Sequence, residues 1–244
     1  MSSKVVSQGA CPKCGSSDAY TTYQDGGTHC FSCGYHPRSL VSGFVRQLKA
    51  AQDETILTLP DDISYEYSPE CIEWVDQYGL KAQDLVRNKV QWSRSYNQLL
   101  FVYRGIYQND IACIQARNFT PGKPKYYNQG DVNQVLPIYF YTRAGQANRI
   151  VLVEDAISAI KVSTDSWVDA VPLLGSHLPL HKIAKFIKLG YKEAIIWLDH
   201  DKYKEALSIA DKLRYTGLEV RVVSSDLDPK CYAPYEIGKK IGLV

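Results

Sequence analysis

Two short cysteine motifs, Cys11-Pro-Lys-Cys14 and Cys30-Phe-Ser-Cys33, constrain this chain more than any other feature. Each pair is followed by a glycine, Gly15 and Gly34, and fifteen residues separate the pairs. Thiolates at Cys-x-x-Cys spacing form a knuckle, and two knuckles supply the four sulfur ligands of one tetrahedral zinc ion. Residues 1–36 are rich in Gly, Ser and Thr and have few residues able to build a core without metal. A pair of disulfides in a secreted protein is the competing arrangement. Against it, Met1–Gln8 lacks an apolar signal segment, and the remaining cysteines, Cys71, Cys113 and Cys231, are scattered and odd in number. The reading is therefore a four-cysteine zinc ribbon in a reduced, cytoplasmic setting. A ribbon of this kind is often only a clip, so the function must be sought behind it.

A chain of 244 residues has room for that module plus one or two α/β domains. Hydrophobic residues at 45% and charged residues at 22% are ordinary for a folded protein. No apolar run approaches the ~20 residues that span a bilayer, so no membrane partner is expected. A net charge of +2 does not by itself argue for nucleic acid. Many of the 18 tyrosines lie beside Lys or Arg, a pairing suited to base stacking next to phosphate contacts. Tyrosine in sheets is the commoner explanation.

The chain divides into a ribbon (1–36), a linker (37–60), a basic subdomain (61–148) and an alternating region (149–244). The linker mixes polar residues with a few aliphatics and suggests a short amphipathic helix near 40–51. Ser68-Pro69-Glu70 opens a helix with Trp74, Val75 and Tyr78 on one face, stopping at Gly79. Gln98–Tyr103 and Ile111–Ala116 form a hairpin about a turn at 108–110. Arg117–Tyr127 follows as a basic loop broken by Pro and Gly.

The last hundred residues alternate. Strands are expected at 149–153, 168–174, 194–198 and 218–223, with helices at 156–163, 178–189 and 202–216 between them. That order builds a parallel sheet with right-handed crossovers. The class is α/β, with a smaller α+β part ahead of it.

Open parallel sheets bind ligands at the carboxyl ends of their strands. Glu154-Asp155 follows the first strand, Gly175-Ser-His177 the second, Asp199-His-Asp201 the third, and Ser224-Ser-Asp226-Leu-Asp228 the fourth. Like charges so placed repel, and a cation between them resolves the conflict. Oxygen-only ligands favour Mg²⁺ or Mn²⁺. Helix capping accounts for Asp155 or Asp201 singly. It does not account for Glu154, which ends a continuous apolar run.

Val-Leu-Val-Glu154 with Leu-Asp199-His-Asp201 resembles the TOPRIM fold of primases, topoisomerases and some nucleases. Its hallmark is a Glu after the first strand and an Asp-x-Asp after the third. The hairpin and Pro-Lys125-Tyr126-Tyr-Asn128 resemble the basic half of bacterial and phage primase catalytic domains. Cys11-Pro-Lys-Cys-Gly-Ser-Ser-Asp18, with Asp25-Gly-Gly before the second knuckle, resembles the zinc ribbon of the phage primase branch. The chain departs from the TOPRIM pattern in two segments, after Glu154 and after Asp201. Asp155 stands where the family has Gly, Ser158 stands where it has Asp, and the small Gly usual after Asp-x-Asp is absent.

The resemblance implies a primase, a DNA-directed RNA polymerase (nucleotidyltransferase) that copies single-stranded DNA into short RNA primers for phage DNA replication. Glu154, Asp199 and Asp201 would be catalytic and, with Asp155 and Asp228, would hold Mg²⁺ or Mn²⁺. Arg104, Arg117, Lys123, Lys125, Tyr126 and Asn128 would bind nucleotide and template. In the ribbon, one Zn²⁺ on Cys11, Cys14, Cys30 and Cys33 would present Asp18, Tyr20, Tyr23, His29, Phe31 and Tyr35 for start-site selection. Its partners would be single-stranded DNA, ribonucleoside triphosphates and the replisome, in the host cytoplasm if phage-encoded. No Gly-x-x-x-x-Gly-Lys-Ser/Thr loop occurs, so the reading expects a free-standing primase served by a separate replicative helicase. A metal-dependent TOPRIM nuclease shares the acids without needing the Pro-Lys-Tyr segment. A nucleic-acid-binding relative with reduced synthesis is the remaining alternative.

Overall fold

The structure is a computed structural model and describes residues 5–23, 27–33, 35–36, 57–105, 110–139, 148–175 and 177–244. Gly34, the turn at 108–109 and the helix expected near 40–51 lie outside the described residues. The chain divides into two compact units, residues 1–56 and 57–244.

In the first unit, β1 (Val5–Gly9), β2 (Tyr20–Tyr23) and β3 (Thr28–Cys30) form an antiparallel sheet in that order. Thr21 is buried, but Val5 and Val6 are exposed, which is too little apolar burial to hold so small a sheet. The thiols supply what the core lacks.

The second unit is built from two sheets. One is antiparallel, with order β4-β5-β6-β7-β8. Its strands are β4 (Ile63–Ser64), β5 (Gln91–Ser93), β6 (Gln98–Arg104), β7 (Ile111–Asn118) and β8 (Tyr126–Gly130). Between β4 and β5 come α1 (Pro69–Asp76) and α2 (Ala82–Arg87). Ser68 caps α1 by accepting the Cys71 N–H at 3.2 Å, and Pro69 occupies the first turn, as its sequence required.

The stretch after Arg117 differs from the expected loop. Arg117 lies within β7, and Tyr126 opens a strand that pairs with it in register. Asn118 closes the intervening turn by donating from its backbone N–H to Lys125 O (2.9 Å) and from its side-chain amide to Pro124 O (2.6 Å). These contacts depend on which chain lies opposite, so the Pro/Gly breaks masked the strand.

The second sheet is parallel, with order β10-β9-β11-β12. Its strands are β9 (Arg149–Val153), β10 (Asp169–Pro172), β11 (Glu193–Ile196) and β12 (Glu219–Val222). Helices α3 (Ala156–Ser166), α4 (Leu180–Lys188) and α5 (Tyr203–Arg214) connect them. A short 3₁₀ turn at Pro229–Cys231 and α6 (Pro234–Lys240), neither foreseen, complete the unit.

Both faces of the parallel sheet are covered. Ile150, Leu152, Ala194, Ile196 and Leu198 pack with residues of α4 and α5. Val151, Val153, Ile195 and Trp197 share a core with α3, α6 and the face of the antiparallel sheet carrying Leu99, Phe101 and Tyr103. Helix α3 is buried on almost every side, including Lys161, whose Nζ pairs with Asp165 at 2.6 Å. The far face of the antiparallel sheet (Leu100, Ile114, Ala116) is covered by Leu57, Leu59 and Ile63.

Candidate metal centres and nucleic-acid face

The four ribbon thiols converge. Their sulfurs all lie within 4.8 Å of one another, with Cys11 to Cys33 at 3.8 Å and Cys14 to Cys30 at 3.7 Å. A zinc tetrahedron with ~2.3 Å bonds has edges of roughly 3.8 Å, so the donor set fits zinc. Gly15, with φ +70°, donates its N–H to Cys11 O and shapes the first knuckle. Burial pushes the Cys11 thiol up, but the backbone N–H groups of Cys14 and Lys13 and the adjacent thiols bring it down to about 6. Cys33 is pushed up to about 12, its Tyr35 backbone hydrogen bond being outweighed by desolvation and the neighbouring thiols. Four thiols this close do not all ionise without a cation among them.

Around the ribbon, Tyr20 stacks on Tyr35 at 6.3 Å, and His29 meets Phe31 edge-on at 4.9 Å. Phe31 is 66% exposed and Asp18 is exposed, while Tyr20, Tyr23, His29 and Tyr35 are half-buried. Lys13 sits over the Tyr35 ring at 5.4 Å.

The acids occupy one end of the parallel sheet. Glu154 directly follows β9, Asp199 follows β11, and those strands are hydrogen-bonded neighbours. Neighbouring strands stand ~4.8 Å apart, so the two acids follow adjacent strand ends. The Trp197 N–H to Leu152 O bond (2.8 Å) carries the pairing past the end of β11 toward them. One oxygen of each, Glu154 Oε2 and Asp199 Oδ1, is buried with no hydrogen-bond partner among the described residues. Burial raises Glu154 above its ordinary range, with Lys202 opposing and Asp201, Asp155 and Asp228 adding. Asp199 is pushed up to about 7 by burial, with Lys230 opposing and Asp228, Asp155 and Glu154 adding. Orphaned, half-buried carboxylates are costly, and an oxygen-seeking cation satisfies them.

The other acids differ. Asp155 caps α3: its Oδ1 accepts the Ser158 N–H (3.0 Å), and its Oδ2 accepts the Ser158 hydroxyl and the Lys230 ammonium, each at 2.8 Å. Asp228 sits 3.2 Å from both His200 Nδ1 and Lys230 Nζ. Burial pushes Asp228 up, but those two partners hold it below the ordinary carboxylate range. Asp201 is exposed and pairs loosely with Lys202 at 3.4 Å. Among the described residues, only the four cysteines gather three or more ligand atoms tightly enough to hold an ion; the strand-end acids do not. Lys230 bridges Asp155 and Asp228, and its charge also acts on Asp199. Sequence reading missed it, although its position directly after Asp228-Pro229, beyond the last strand, was the available signal.

Arg117 is not a free loop cation. Its guanidinium lies 5.0 Å from the Trp74 ring, 5.1 Å from Phe119 and 5.3 Å from Tyr126, and its Nη1 donates to Asn118 O. Its Nε is buried without a partner. Tyr126 faces Arg117 across the β7–β8 pair and is 40% exposed. Burial raises its phenol, Asp155 adds to the shift, and Arg117 and Lys230 oppose it. Lys123 and Lys125 are exposed on the connecting turn, and Asn128 accepts from Gln115 at 3.1 Å. Arg104 does not join this group. It lies five residues along β6 from Leu99, the residue opposite Arg117, or roughly 17 Å away. There it lines a cavity of about 590 Å³ with Arg87, Lys89 and Lys185.

No family model and no curated protein matches this chain. Solved structures do. The zinc-binding and RNA polymerase domains of the Aquifex aeolicus primase superpose with TM-score 0.57 at 15% identity, covering 100% of this chain and 80% of that one. The primase fragment of the bacteriophage T7 primase-helicase protein gives TM-score 0.51 at 15% identity, covering 98% and 99%. A DnaG primase catalytic domain bound to single-stranded DNA gives 0.53 at 14%, covering 66% and 68%. At such identities the likeness speaks to architecture. The chain has the fold of the zinc-binding and RNA polymerase domains of primases.

Proposed function

We propose that this protein is a DNA primase that makes short RNA primers on single-stranded DNA, its ribbon choosing the start and its strand-end acids serving the chemistry. The observation that carries the reading is the pair of orphaned buried oxygens on Glu154 and Asp199. Glu154 and Asp199 would hold Mg²⁺ or Mn²⁺, with Asp201 at the exposed edge. Held there, such an ion would supply charge stabilisation for the attacking 3′-oxygen and the departing pyrophosphate.

The chain's own side chains account for the rest. Arg117, fixed by three aromatic rings, offers a preorganised charge to a phosphate, and Lys123 and Lys125 add mobile ones. The exposed face of Tyr126 suits stacking of an unpaired base. In the ribbon, Phe31 and the Tyr20–Tyr35 stack provide π-faces, and Asp18 and His29 provide hydrogen bonds to base edges. Ribonucleoside triphosphates, a replicative helicase and the replisome are the partners this activity requires.

Incubation with single-stranded DNA, Mg²⁺ or Mn²⁺ and labelled ribonucleotides tests the reading. Short template-dependent RNA is the expected product. A cleaved template with no RNA would instead identify a nuclease.

A further inference from the structure

Six carboxylates follow the strand ends of the parallel sheet; Asp226 is exposed, and the structure sorts the other five by what satisfies them. Asp155 is saturated by the Ser158 N–H, the Ser158 hydroxyl and Lys230. Asp228 is held by Lys230 and His200. Asp201 faces solvent with Lys202. Of these five acids, Glu154 and Asp199 alone keep a buried oxygen with no hydrogen-bond partner among the described residues.

Two of these acids share one side chain, Lys230. It is 17% exposed, and its ammonium spans Asp155 at 2.8 Å and Asp228 at 3.2 Å, bonds that link the segment after β12 to the N-terminus of α3. Trp197 Nε1 anchors the same segment by donating to Ser225 Oγ at 2.8 Å. A cation so placed between two carboxylates does what a metal ion would do there: it cancels their repulsion and fixes their spacing. It is also tethered, so it is present at every metal concentration.

We propose that Lys230 occupies the place of a second divalent cation. The acid centre then takes one ion, at Glu154 and Asp199, where phosphoryl-transfer sites commonly take a pair ~3.5–4 Å apart. This inference rests on the metal-centre reading above. Lys230 is a positioning residue in this account: it holds Asp155 and Asp228 in place and repels any further cation that approaches them. Ser158 completes the arrangement, because its hydroxyl occupies on Asp155 the lone pair that a second ion would need.

Manganese titration of the zinc-loaded full chain, read by the paramagnetic resonance of free and bound Mn²⁺, tests this without recourse to catalysis. Wild type should bind one Mn²⁺, displaceable by Mg²⁺. Lys230→Gln should bind two, with spin–spin broadening from the close pair, and Lys230→Arg, which keeps the charge, should return to one. Glu154→Gln should lose the ion that wild type binds. Two ions in wild type, or a single ion with unchanged affinity in Lys230→Gln, would overturn the inference and leave the metal centre standing. No bound Mn²⁺ in wild type or in either Lys230 variant would overturn the metal centre, and the inference with it.

Discussion

Asp199 and Arg117 are the residues whose settings say most about what this sheet end is for. Asp199 titrates near 7 where an ordinary aspartate titrates at 3.8. The sign follows directly. Between those values the folded protein binds a proton that the unfolded chain releases, so metal-free stability falls as pH rises from about 4 to 7. Thermal melting of the metal-free protein should show that decline, and Asp199→Asn should flatten it. Divalent binding needs the carboxylate, so added Mg²⁺ should raise the melting temperature above pH 7 and lose its effect near pH 5. A melting curve indifferent to Asp199→Asn would mean that the carboxyl is not under strain. Arg117 joins packing to charge. Arg117→Ala should raise the nucleotide concentration for half-maximal synthesis and also lower the melting temperature, since three rings lose their shared partner. Arg117→Lys should recover part of the binding and less of the stability, because an ammonium does not stack as a guanidinium does.

At the scale of elements, the β9–α3 junction and β8 hold residues of the proposed site, and they were not equally legible. The β9–α3 junction was readable because a continuous apolar run ending in Glu154-Asp155 matches a buried strand with acids at its carboxyl end, and the Asp155 cap follows from local chemistry. β8 was not readable. Tyr126–Gly130 is mostly exposed, so no alternation of buried and exposed residues marks it, and only pairing with β7 makes it a strand. Its far end is fixed by backbone proximity: a Cβ on Gly130, at φ +85°, would sit 2.3 Å from Ala112 O. Gly130→Ala should therefore cost about 1–3 kcal/mol in chemical denaturation and loosen the Tyr126–Asn128 segment. A neutral Gly130→Ala would show that β8 is free to shift. Lys230 escaped sequence reading for a related reason: a lysine after the last strand reads as a solvated charge until the fold brings α3 beside it.

Across the whole molecule, residues 1–56 and 57–244 are separate units with different sources of stability. The larger rests on apolar cores on both faces of its parallel sheet, whereas the ribbon has four thiols in place of a core. Chelation of zinc, or Cys14→Ser, should unfold the ribbon while the main melting transition stays within about a degree of its original position. Initiation on an unprimed template should fail, and extension of a pre-annealed primer should largely survive. The four ribbon cysteines, the alternation of β9 to β12 with α3 to α5, and the acid-bearing strand ends were legible from residue spacing. How the acids divide among a cap, an ion pair and an orphaned couple was not, because that depends on which strands become neighbours. The central claim is that the orphaned couple makes this chain a polymerase. Glu154→Gln tests it most directly, since the amide keeps the size and removes the charge. Assayed beside wild type on single-stranded DNA with ribonucleotides, it should make no primer while melting at or above the metal-free wild-type temperature; near-normal primer synthesis by Glu154→Gln would contradict the account.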